Sequence, residues 1–202
     1  MAVRGRPRGF DRDEALESAM RVFWERGYEA ASLSGLTAAM GIKSASLYAA
    51  FGSKEELFRE AVDRYRATEG TATGTALDGA GTAREGVRGM LRDNSAAYVA
   101  PGKPRGCMVV LAANTCTEEN DGVRELLAGA RRETVDAVRA RLDRGVREGD
   151  VPPGTDTATV AAFYATVLFG LSLQARDGAT LPQLEAVAEA AMSAWDTLTS
   201  GG

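Results

Sequence analysis

The chain has 202 residues, 24 Lys and Arg against 28 Asp and Glu and a formal net charge of -4, so bulk charge gives no reason to expect a nucleic-acid partner. It has no histidine, which excludes Ser-His-Asp and Cys-His centres and leaves most zinc sites without a ligand set. No uninterrupted apolar run reaches the roughly eighteen residues of a membrane span, and none follows the N-terminal arginines as a signal peptide would require; the expectation is a cytoplasmic protein with one core, or a small domain and a larger one.

The charge is unevenly spread. Residues 1–66 hold 11 Lys and Arg against 10 Asp and Glu, and the remainder holds 13 against 18. The cationic excess is strongest at the extreme N-terminus, where Arg4, Arg6 and Arg8 precede any acid and are spaced by Gly5 and Pro7. Such an arm suits a narrow minor groove, where negative potential is concentrated; a solvated tail is the plainer alternative.

An amphipathic helix is expected from Asp11, which with Glu14 has the spacing of a capping box; Phe10 precedes it, and Leu16, Ala19, Met20, Phe23 and Gly27 share one stripe. Two short helices follow. Leu36, Met40, Ile42, Leu47 and Ala50 have the offsets to pack them together, Gly41 supplies the sharp turn, Ser32 or Ser34 caps the first and Ser44 the second. Ser53 with Glu56 starts a further helix. Two helices joined at a glycine describe a helix-turn-helix, here part of a three-helix unit over residues 11–51.

The run from Val22 to Phe58 resembles the DNA-binding domain of the TetR-family transcriptional regulators. Gly27-Tyr28, Ser32, Leu36, Gly41-Ile42, Leu47-Tyr48, Phe51 and Lys54-Glu55-Glu56-Leu57 match the family pattern in register, and Ala31, Gly35, Thr37 and Ala49 depart from it. The resemblance implies an all-α protein: a basic arm at 1–10, a helix-turn-helix DNA-binding domain at 11–52 and a helical ligand-binding and dimerisation domain at 53–200.

A helix over residues 44–51 would lie in the major groove with its N-terminus toward the bases. Lys43, Ser44, Ala45 and Ser46 are then nearest the base edges: lysine can donate to guanine, serine can serve either base type and alanine can touch a thymine methyl. Tyr48, Ser32 and Lys54, the last at a helix N-terminus, are the candidate phosphate contacts. The short recognition helix has few long polar side chains, so two copies and DNA shape are expected to supply specificity.

Beyond residue 66, Gly70, Gly74, Gly79 and Gly81 punctuate an Ala/Thr-rich stretch expected as a mobile connection, and Pro101 to Pro104 read as a loop. Residues 121–148 are strongly helical, with Val135, Val138, Leu142 and Val146 on one stripe that ends before Val151-Pro152-Pro153-Gly154. Residues 156–175 are almost uncharged; past Asp177-Gly178, residues 184–198 form another stripe. A nearly charge-free helix needs cover on most sides, from the protein's own core or from a second subunit. The family resemblance implies a homodimer through the last two helices, with Leu168, Leu171, Leu184, Val187, Ala188, Ala191 and Trp195 as candidates. It also implies a pocket for an unknown small-molecule effector, for which Met90, Tyr98, Cys107, Met108, Leu111, Phe163, Tyr164 and Val167 are the soft and aromatic candidates.

Cys107 and Cys116 are nine residues apart, which on one continuous helix places them on opposite faces, unable to pair. Glycine-rich phosphate loops are not supported: Arg84 stands where a third glycine would follow Gly79 and Gly81. No catalytic residue, metal site or cofactor is expected. Two readings remain: a dimeric, ligand-responsive DNA-binding regulator, most readily a repressor, and a helical small-molecule-binding or interaction protein whose helix-turn-helix is structural. Binding to duplex DNA that weakens steeply with salt separates them.

Overall fold

The computed structural model describes residues 10–200 apart from residue 115. The candidate arginines at positions 4, 6 and 8 lie outside the described residues. Among the described residues the structure is all α, eleven helices and one 3-10 turn with no strand.

Helix α1 (Arg12–Ala30) begins where the Asp11 carboxylate accepts from the Asp13 and Glu14 N–H groups. Its regular part ends at Gly27, whose φ of 78° is a conformation that side-chain-bearing residues rarely adopt. Ser32 caps α2 (Leu33–Met40) by accepting from the Gly35 N–H, and Gly41 ends it in the left-handed region at φ 66°. Helix α3 (Ser44–Phe51) differs from expectation at its start: Lys43 holds the cap position without a side-chain bond, and Ser44 is the first helical residue. Helix α4 (Lys54–Thr68) is capped by Ser53 Oγ, which accepts from the Glu56 N–H.

The Gly-punctuated stretch expected as a mobile connection contains helix α5 (Ala72–Gly79), which packs on α6 (Ala83–Tyr98). The cause is tertiary: Leu77 is buried in the second core, and α5 packs its Ala76, Leu77 and Ala80 against Gly86 and Gly89 of α6. Thr82 and Glu85 form a complete capping box at the start of α6. A short α7 (Met108–Leu111) and the 3-10 turn Glu118–Asn120 lead into the long α8 (Asp121–Glu148). Helices α9 (Thr157–Arg176) and α10 (Leu181–Ser193) follow, and α11 (Trp195–Thr199) continues the last stripe after a break at Ala194.

Two apolar cores result. The first joins α1, α2, α3 and α4 to Met108, Val109, Ala112 and Ala113 and to Val123, Leu127 and Ala130 of α8, so it extends well past residue 52. An aromatic group sits at its centre: Phe58 meets Phe23 at 5.0 Å and Tyr28 at 5.1 Å, both edge to face. The second core is built from α6, the C-terminal half of α8, α9, α10 and Trp195. Cys107 packs against both.

Helix α9 corrects one expectation. Over an 18-residue window its mean hydropathy is 1.5, long and apolar enough by length and composition to cross a membrane. It packs against α6, α8 and α10, and 44% of that window is buried within the fold, as in the core helix of a helical domain.

Candidate nucleic-acid interface

The recognition-helix candidate α3 is held by its apolar side. Leu47 and Phe51 are buried, while Lys43, Ser44, Ala45, Tyr48 and Ala49 are exposed and Ser46 is half-buried. Among the described residues, no intramolecular side-chain hydrogen bond engages Lys43, Ser44, Ser46 or Tyr48, and the first turn contains no acid. One edge of the protein therefore combines an exposed ammonium, the exposed hydroxyls of Ser44 and Tyr48, the half-buried hydroxyl of Ser46 and the positive end of a helix dipole. That arrangement has the chemistry to receive phosphates and base edges.

The back of α3 is fixed by Arg12. Its guanidinium lies 4.3 Å from the centre of the Phe51 ring, donates to the Ala50 carbonyl at 3.2 Å and pairs with Glu60 of α4 at 2.7 Å. One side chain thus ties α1, the C-terminal end of α3 and α4 together. Its spacing to Phe51 and Glu60 carries no sequence signature, so the sequence reading missed it.

Lys54 stands at the start of α4 with its ammonium 4.2 Å from the Tyr28 ring centre. Partial burial lowers its pKa, and Glu29 acts in the opposite direction. Ser32 is exposed, with its oxygen occupied as the cap of α2 and 3.1 Å from Ser34 Oγ. Two of the departures from the family pattern have local explanations. Ala31 is fully buried in the first core, and Thr37 returns its hydroxyl to the Leu33 carbonyl at 2.9 Å.

The end of α1 is bound to the rest of the protein by polar struts. Trp24 Nε1 donates to the Gly106 carbonyl at 2.9 Å, and the Tyr28 N–H donates to the Ala112 carbonyl at 2.7 Å. Arg176, at the end of α9, donates to the Trp24 and Glu25 carbonyls, each at 2.7 Å. Burial lowers the Arg176 pKa, and Glu25 acts in the opposite direction. Glu29 accepts from the Thr117 N–H and the Asn120 amide, both at 2.9 Å, and the Thr117 bond is the main cause of its lowered pKa.

A cavity of about 450 Å3 opens between α4, α5, α6, α7, α8 and α9. Of the eight expected lining residues, Tyr98 and Cys107 are there. The other six are placed elsewhere. Met90 and Met108 are fully buried in the two cores, Leu111 borders a smaller cavity beside the end of α1, and Phe163, Tyr164 and Val167 pack in the second core. The lining that sequence reasoning missed includes Tyr65, Asn94, Val109, Val110, Leu168 and Phe169. The cysteines are not on one helix: Cys107 precedes α7, Cys116 lies beyond it, and both are unpaired thiols.

The outer surface of α9 and α10 also differs from the expected stripe. Leu168, Leu171, Leu184, Ala188, Ala191 and Trp195 are buried inside the protomer's own second core and have little surface left for a partner; Val187 alone of the seven is exposed. The small and apolar residues exposed on these helices include Ala162, Thr166 and Leu173 on α9 and Ala186, Val187 and Ala190 on α10, interspersed with Gln174, Gln183, Glu185 and Glu189.

Residues 15–61 match the family described as bacterial regulatory proteins, tetR family, and residues 83–190 match the one described as tetracyclin repressor-like, C-terminal domain. The chain is 33% identical to the HTH-type transcriptional repressor ComR of Escherichia coli (strain K12), over 96% of this chain and 93% of that one. It is 30% identical to the HTH-type transcriptional repressor BdcR of the same strain, over 97% and 94%. Among solved structures, a cysteine mutant of the TetR family transcriptional regulator CifR, complexed with 26bp double-strand operator DNA, is 53% identical with a TM-score of 0.92, covering 94% of this chain and 100% of that one.

Proposed function

The chain belongs to the tetR family of bacterial regulatory proteins, and we propose that it is a cytoplasmic transcriptional repressor that binds its operator as a homodimer and is released by a small-molecule effector. The observation that carries this reading is the solvent-facing edge of α3, where Lys43, Ser44, Ser46 and Tyr48 have no partner within the described protein. Its likeness to a regulator held on operator DNA supports the same assignment. Lys43, Ser44, Ala45 and Ser46 face the bases, while Tyr48, Lys54 and Ser32 take phosphates; residues 11–52 form the DNA-binding unit and 53–200 the ligand-binding and dimerisation body.

Dimerisation uses the outward face of α9 and α10, centred on Leu173 and Val187. One eight-residue helix offers few base contacts, and a twofold pair placing two of them in successive grooves multiplies affinity. The effector occupies the cavity and acts through α4, which carries Tyr65 in the cavity wall and Lys54 at the DNA edge. Release requires that the effector bind one arrangement of α4 and the α1 struts better than the other, since tight binding to both shifts nothing.

A salt series on the purified protein tests the DNA reading. The logarithm of the operator association constant should fall by about 0.9 per neutralised phosphate for each unit of log salt. Lys54→Ala should weaken binding on all sequences alike and reduce that slope by about one; Lys43→Ala should in addition relax preference at one base pair, by about 1–3 kcal/mol. Salt-independent binding, or a Lys43→Ala protein with unaltered preference and affinity, would overturn the assignment.

A further inference from the structure

The chemistry of the cavity restricts what fills it; this step rests on the ligand-responsive reading above. Three polar side chains in its wall are more than nine-tenths buried: Tyr65, Tyr98 and Asn94. The Asn94 amide nitrogen is committed, donating to Met90 O at 2.8 Å and Thr73 Oγ1 at 3.1 Å. The two phenols are in a different position. Buried tyrosine hydroxyls ordinarily find a strong acceptor. Here, among the described residues, neither hydroxyl donates a hydrogen bond to an acceptor, and the neighbouring Cys107 thiol would accept only weakly. Two buried O–H donors therefore line an open space without a strong acceptor. Burial raises both phenols well above the usual tyrosine range and also raises the thiol, so all three stay protonated and neutral at physiological pH.

The charges around the cavity are equally restrictive. Its lining cation, Arg66, is paired with Glu133, and the other lining acid, Asp78, is exposed at the rim with that pair. The inner wall is Val109, Val110, Leu168 and Phe169 with the two phenols and the thiol. The half-buried Arg131 lies outside the lining and gives its guanidinium to the Val109 carbonyl at 2.9 Å. An anion seated there would be desolvated with no lining counter-charge to meet it, and an ammonium would lie away from the rim acids; both are disfavoured relative to a neutral molecule.

We propose that the cavity takes an uncharged small molecule bearing a hydrogen-bond-accepting oxygen, seated between the hydroxyls of Tyr65 and Tyr98, with its carbon skeleton on Val109, Val110, Leu168 and Phe169. A volume of about 450 Å3 suits a compact ligand. Such a molecule touches α4 of the DNA-binding side through Tyr65 and α6 of the outer body through Tyr98, so its affinity depends on how those helices are spaced.

Probes that share one ring and differ in charge test this on the full chain. Acetophenone, benzoate and benzylamine are titrated by ligand-observed NMR against the wild type and against Tyr65→Phe, Tyr98→Phe and the double variant, each checked for folding by its thermal melt. Acetophenone should bind, benzoate and benzylamine should bind at least about tenfold more weakly, and each phenylalanine variant should lose about tenfold for acetophenone. Equal or tighter binding of the charged probes, no binding of acetophenone, or acetophenone binding unchanged in the double variant would each overturn the proposal. If a variant fails to fold, the charge series on the wild type still decides. Operator binding by the unliganded wild type is measured alongside: its loss would count against the DNA reading, whereas its retention without acetophenone binding would count against the ligand class alone.

Discussion

A chain carrying both Leu173→Glu and Val187→Glu is expected to be a folded monomer whose operator affinity has dropped by about a hundredfold or more. Leu173 is 53% exposed and Val187 36% exposed, so neither carboxylate enters the protomer's core, and the thermal melt of the subunit should change little. The surface beside Val187 is formed by Gln174, Asp177, Gln183 and Ala186, which offer a carboxylate no cation. In a twofold interface each substitution appears twice, so four carboxylates would face one another in a desolvated patch. Sedimentation equilibrium reads the assembly state and an operator titration reads the affinity. A double variant that remained a dimer, or a monomer with undiminished affinity, would remove α9 and α10 from the account of DNA binding.

The second large effect concerns stability. Phe58→Ala should destabilise the protein by about 3–5 kcal/mol, read as a lower denaturant midpoint. The Phe58 ring is fully buried and lies edge to face on Phe23 and Tyr28, where α4 meets α1. Its loss leaves a cavity between the helix that begins at the DNA edge and the helix that braces α3. Operator binding should weaken with it, because Tyr28 also seats the Lys54 ammonium. A loss of under about 1 kcal/mol would mean that the site collapses freely and that this contact does not hold the DNA-binding unit.

The two cases differ in how far the sequence foretold them. The helix-turn-helix was legible because its signals are local: Ser32 and Ser53 cap neighbouring N–H groups, Gly41 turns the chain at positive φ, and Leu36 and Leu47 bury the facing sides. The cap at Ser44 was misplaced by one residue, since Lys43 ends the turn without any side-chain bond to announce it. Glycines 74 and 79 suggested a break, yet α5 forms, because burial of Leu77 in the second core outweighs the local cost. Periodicity over residues 184–198 located a buried face correctly but not its cover, which is the subunit's own second core. The cavity was the least legible part. Six helices contribute to it, and no single segment records that Tyr65, Tyr98 and Cys107 share its wall.

The most direct test is selection of bound duplexes from a random pool by the purified chain, without effector. The account predicts an enriched site made of two inverted half-sites, their centres about one helical turn or a multiple of it apart, each half short and incompletely specified. Enrichment of one long, fully specified, non-repeated sequence, or no enrichment at low salt, would contradict paired entry of α3 into successive major grooves.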